Sequence, residues 1–141
     1  MRQAAWLNAR PKKADGDKGS ASELSRRERL AKEGITHPAM PPCQAEYLLG
    51  YLFEMGPTAQ TGMGEVPITH RDIAAWMGNT GIRLSPWQAR TLHRLSLDYV
   101  TESHKATRSA HPAPWQAADQ QLESVLASNN IKDAIRNVSK L

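Results

Sequence analysis

Cysteine is nearly absent. Cys43 is the only thiol in 141 residues, which excludes an internal disulfide and a cysteine-rich zinc site. Phenylalanine occurs once, and aromatic residues make up 6% of the chain. No apolar run approaches the roughly 20 residues that span a bilayer. The opening MRQAAWLNARPKK has no apolar segment of the kind a signal peptide carries, and the expected location is cytosolic. The five histidines, His37, His70, His93, His104 and His111, form no H-E-x-x-H and no i, i+4 pair. The glycine-containing stretch 57–67 has no preceding strand and no lysine, so it does not read as a phosphate-cradling loop. Carboxylates are scattered without acid–base spacing. No catalytic, cofactor-binding or metal-binding residue is assigned, and the chain reads as a non-enzyme.

Net charge is missing from most of the chain. The net charge is +4. Residues 1–36 hold nine Lys/Arg against five Asp/Glu, so the whole excess sits there and residues 37–141 are balanced. A dedicated nucleic-acid domain carries the charge on its folded face, so nucleic acid is not the expected partner.

What is present is helical punctuation. Residues 1–21 are polar and expected to be disordered, with Trp6 and Leu7 as an isolated apolar pair that is incidental or a docking anchor. SELSRRERLAKE, 22–33, reads as a short, weakly packed helix capped by Ser22 and stopped by Gly34. HPAMPP, 37–42, follows as an extended linker whose three prolines exclude a helix, and the domain boundary is placed there. The expected division is a flexible basic arm over 1–42, a helical core domain over 43–104, and a linker with C-terminal helices over 105–141.

Within the core, Cys43–Met55 carries apolar residues at helical spacing, and Cys43 opens that stripe as a buried thiol. The next helix starts at Thr69-His70-Arg71-Asp72, a capping box with Asp in place of Glu, and Gly78–Gly81 ends it. Ser85-Pro86-Trp87-Gln88 opens the third, with proline at the first helical position. Trp87, Thr91, Leu92, Leu95 and Tyr99 line one face, while His93, Arg94, Asp98 and Glu102 are assigned to solvent, and the end is expected near Ser103. Helices are also expected at Trp115–Ala127 and Ile131–Leu141, the latter with Ile131, Ala134, Ile135 and Val138 on one side. The only β-like piece is Glu65–Ile68. The fold class is mainly α.

The spacing of Ala74, Gly78 and Leu84 matches the apolar skeleton of a helix-turn-helix. Pro86 would then fall inside the recognition helix, and the later cap makes the connection too long.

Residues 40–115 resemble the tail assembly chaperones of long-tailed, lambda-like bacteriophages. The resemblance is carried by AEYLLGYLFEMG, TGMGEVPIT, DIAAWM, GIRLSPWQARTLHRLSLDYV and a closing PAPW. Gln88 stands where that family commonly has an acid, which keeps the cap and loses a charge. The resemblance implies a protein that binds the tape measure protein, helps recruit tail tube subunits, acts in the host cytoplasm and leaves before the virion matures. The alternatives are a structural minor tail component and a small helix-turn-helix DNA-binding protein. For partner binding the candidates are Trp76, Trp87 and Tyr99 on the second and third helices, with Tyr47, Tyr51 and Phe53 as an adjacent aromatic face. Neither cofactor nor membrane is expected.

Overall fold

The computed structural model describes residues 1–12 and 24–116. The expected helices beyond Gln116, and the stretch 13–23, lie outside the described residues. The elements are α1 (Arg2–Asn8), α2 (Arg26–Lys32), α3 (Glu46–Met55), β1 (Ala59–Thr61), β2 (Gly64–Val66), α4 (His70–Thr80) and α5 (Pro86–Ala106). The protein is mostly helical, and the described residues include one small antiparallel sheet.

Helix α5 is the spine. Its 21 residues extend about 32 Å, and α1, α3, α4 and β2 all pack on it. Its start is as the sequence requires: the Ser85 hydroxyl accepts from the Gln88 N–H, the Gln88 side chain accepts from the Ser85 N–H at 2.7 Å, and Pro86 occupies the first turn. It ends at Ala106, one turn later than expected near Ser103. Helix α4 uses the Thr69–Asp72 box and stops at Gly81. There the backbone is left-handed with φ 72°, a conformation that L side chains rarely adopt and glycine does freely.

The main core joins Leu48 and Leu52 of α3, Ile68, Ile73 of α4 and Leu92 of α5. Apart from Ile68, which lies between β2 and α4, these are apolar positions on three helices, brought onto one side of the spine. Cys43 is not among them. It is exposed, because α3 starts only at Glu46 and the residues before it run outside the helix. Trp87 also leaves the expected packing face of α5. It is 56% exposed, since it sits in the first turn beyond the reach of the core.

The glycine-containing stretch is a hairpin rather than a plain helix connection. Ala59 pairs with Val66, Gln60 with Glu65 and Thr61 with Gly64, leaving Met63 fully exposed at the tip. Three-residue strands are too short to show a period of two. Tertiary contact holds them. The buried Ser96 hydroxyl on α5 accepts from the Ile68 N–H at 2.9 Å and donates to the Pro57 carbonyl at 2.7 Å, clamping both ends of the excursion.

The N-terminal residues differ most from expectation. Residues 1–12 are ordered against α5 instead of forming a free arm. Ala5 and Leu7 are fully buried, and Ala4 and Ala5 meet Tyr99. Small alanines let α1 approach the spine closely, a packing contribution that polar composition conceals. The Trp6–Leu7 pair docks within the chain: the Trp6 indole N–H donates to the His111 carbonyl at 2.9 Å. Helix α2 is capped by Ser25 with Glu28, three residues later than the expected Ser22.

Arg26 ties these pieces together. It is 7% exposed, its guanidinium lies 4.6 Å from the Trp6 ring centre, and it donates to the carbonyls of Ala106 at 2.7 Å, Arg108 at 2.9 Å and Trp6 at 3.3 Å. Burial pushes its pKa down from the ordinary arginine value. A cation over the carbonyls that end α5 also complements the helix dipole. Glu102, assigned to solvent by the helical wheel, is buried nearby and meets His111 Nε2 at 2.6 Å.

The two capping carboxylates give a pH prediction. The Thr69 backbone N–H and hydroxyl, both bonded to Asp72, hold its carboxyl below the usual range, and Ser25 does the same to Glu28. A depressed folded pKa contributes stability that is complete above the ordinary value, near pH 4, and is lost as pH falls through the lowered one. The α5 cap uses an amide and does not titrate. Acidification from about pH 5 to pH 2 is therefore expected to loosen the starts of α2 and α4 before that of α5. Amide exchange at Thr69 and Ser85 measures it; equal loss at both sites contradicts the assignment.

Candidate protein-binding surface

Helix α3 displays aromatic residues on more than its buried side because Tyr47, Tyr51 and Phe53 are not at one helical spacing. Tyr47 and Phe53, six positions apart, are about 120° apart around the axis. Two separate aromatic flanks result.

On the first flank, Tyr47 meets Tyr51 edge-on at 5.8 Å between ring centres, and Tyr51 leans on Trp76 of α4 at 5.1 Å. Tyr47 remains 46% exposed, Tyr51 is half-buried and Trp76 is buried. Among the described residues the buried Trp76 indole N–H has no acceptor. The Gln88 amide, whose oxygen completes the α5 cap, donates its N–H to the Tyr47 hydroxyl at 3.2 Å. An acid at this position would complete the cap but, when ionised, offer no proton to Tyr47. Gln88 thereby links the flank to the start of α5, where exposed Trp87 is its neighbour.

On the second flank, Phe53 meets Tyr99 of α5 edge-on at 6.3 Å. Phe53 is 45% exposed, while Tyr99 is buried and accepts through its hydroxyl from the Asn8 side chain of α1 at 3.0 Å. Of the six candidate residues, Trp76 and Tyr99 are buried parts of the fold, Tyr51 links core to surface, and Tyr47, Phe53 and Trp87 face outward. The sequence reading missed Asn8 and Gln88 as supports. Gln88 was visible as a cap, but the partner of its second amide atom lies 41 residues away.

The fold also joins His70 and His93, which stack at 4.8 Å with planes 14° apart. Asp72, the nearest carboxylate in sequence to His70, is engaged by Thr69. Among the described residues no group of three or more His, Cys, Asp or Glu side chains is arranged to hold a metal ion. No helix among them is long and apolar enough to cross a membrane. Helices α4 and α5 are joined by residues 81–85, longer than the usual turn of a helix-turn-helix, and Pro86 begins the second helix rather than interrupting it.

Comparison with protein-family models, curated proteins and solved structures returned no match.

Proposed function

We propose that this protein is a phage tail assembly chaperone-like protein, which holds an apolar helix of the tape measure protein and helps recruit tail tube subunits during tail assembly in the host cytoplasm. The observation that carries this reading is the outward display of Tyr47, Phe53 and Trp87 on helices whose other faces are packed. Large, rigid aromatic surfaces suit an apolar helix, because they exclude water at low entropic cost. The sequence resemblance over residues 40–115 supplies the partner class. In this reading the protein acts by binding, without catalysis or a cofactor.

Trp87→Ala provides the test. Trp87 is more than half exposed, so its loss is expected to change stability by no more than about 0.5 kcal/mol. Affinity for the tape measure protein is expected to fall about thirtyfold, equivalent to about 2 kcal/mol. Co-purification and calorimetric titration with that protein, beside thermal unfolding, separate the two effects. Unchanged binding by Trp87→Ala, Tyr47→Ala and Phe53→Ala, all folded, contradicts the proposal.

A further inference from the structure

A second apolar surface lies away from the aromatic flanks. Trp6 and Leu7 of α1, Leu30 of α2, Ile35, Pro38 and Trp115 line a groove of about 190 Å³. That is about six times the volume of a liquid water molecule, enough for one or two large side chains and too little for a whole helix. Ile35 on its rim is 47% exposed. Gln3 and Gln116 add polar groups to the lining, but most of it is apolar, so an apolar side chain is the favourable occupant of its larger part.

We propose that the groove is filled by the chain's own C-terminal segment, with Leu122 and Leu126 as the inserted side chains. Three observations identify the occupant. The chain is already there: Ala113, Trp115 and Gln116 line the groove, and the Trp115 N–H donates to the Gln3 side chain at 3.3 Å. Leu122 follows Gln116 by six residues, within about 20 Å of extended chain. In sequence, Leu122, Val125 and Leu126 have i, i+3, i+4 spacing, which gathers them on one side of a helix. Charge agrees as well. Residues 117–127 contain Asp119 and Glu123 and no Lys or Arg, whereas α2, which supplies Leu30, has four basic residues and one acid. A tethered segment also works at high effective concentration, so it needs little intrinsic affinity.

Methyl NMR on the full-length chain tests this. In L122D/L126D, the Leu7, Leu30 and Ile35 methyl signals are expected to shift while Ile68 and Leu92 in the main core stay in place. A spin label on Ala127→Cys, in a Cys43→Ser background, is expected to broaden the same three groove residues and spare Met63 and Leu84. Both effects are expected to be independent of protein concentration. Unperturbed groove methyls, or a label that acts on Met63 or Leu84 instead, overturn the proposal. Effects that disappear on dilution also overturn it, because the occupant is then a second copy. None of these outcomes depends on binding to the tape measure protein, so the two proposals fail separately.

Discussion

Arg26→Met is expected to release the N-terminal helices from the spine while the main core stays folded. The guanidinium donates to three backbone carbonyls from two separated parts of the chain and covers the Trp6 ring. Methionine keeps much of the aliphatic stem but donates nothing, leaving the carbonyls of Ala106, Arg108 and Trp6 to find other partners. Bonds involving a charged donor contribute about 1.5–3 kcal/mol each, and partial solvent access reduces the sum to about 3 kcal/mol. Helix α1, with seven residues, is too short to persist alone, so undocking and unfolding coincide. Amide protection at Ala5 and Ala9, which donate to Met1 and Ala5, should fall about a hundredfold. Protection at Ile73 in α4 should change little. Hydrogen exchange followed residue by residue measures both, and retained protection at Ala5 would show that alanine packing alone holds α1.

Ser96→Ala is the second large effect and acts on the hairpin. Ser96 is fully buried, and its one hydroxyl serves the Ile68 N–H and the Pro57 carbonyl. Alanine leaves both groups without that partner, the Ile68 N–H buried and the Pro57 carbonyl partly so. A buried group left unpaired costs about 1–3 kcal/mol, and with the partly buried Pro57 carbonyl at the low end of that range the two are expected to remove about 3 kcal/mol. The thermal midpoint should drop by roughly 10 °C. Ser96→Cys, with a weak donor and acceptor of similar shape, should recover part of the loss. Urea unfolding of the three proteins decides it; equal stability of wild type and Ser96→Ala would mean that water replaces the hydroxyl.

Both predictions rest on polar side chains whose partners are distant in sequence, and this is where reading the chain alone reached its limit. Local rules were sufficient for α4 and α5. Thr69 with Asp72, and Ser85 with Pro86 and Gln88, satisfy backbone donors three residues away, so their chemistry is complete within one turn. Likewise, Leu48, Leu52, Ile73 and Leu92 lie on apolar faces marked by their own neighbours. The mainly helical class and the starts of its two best-marked helices follow from such short-range signals.

Tertiary structure decided the rest. Whether residues 1–12 lie free or pack depended on α5 offering Tyr99 to Ala4 and Ala5, and on Arg26 closing the contact from 20 positions beyond Trp6. Composition sees only a basic segment with few large apolar residues there, because alanine contributes little to hydrophobicity but permits close approach. The three-residue strands form where Ser96 holds their flanks. Which aromatics face outward was likewise undetermined by spacing. Tyr99 and Trp87 share the expected face of α5, but only Tyr99 lies where α1 and α3 reach it, whereas Trp87 extends from the first turn into solvent. Periodicity assigns a residue to a face; what covers that face is settled only when the other elements arrive.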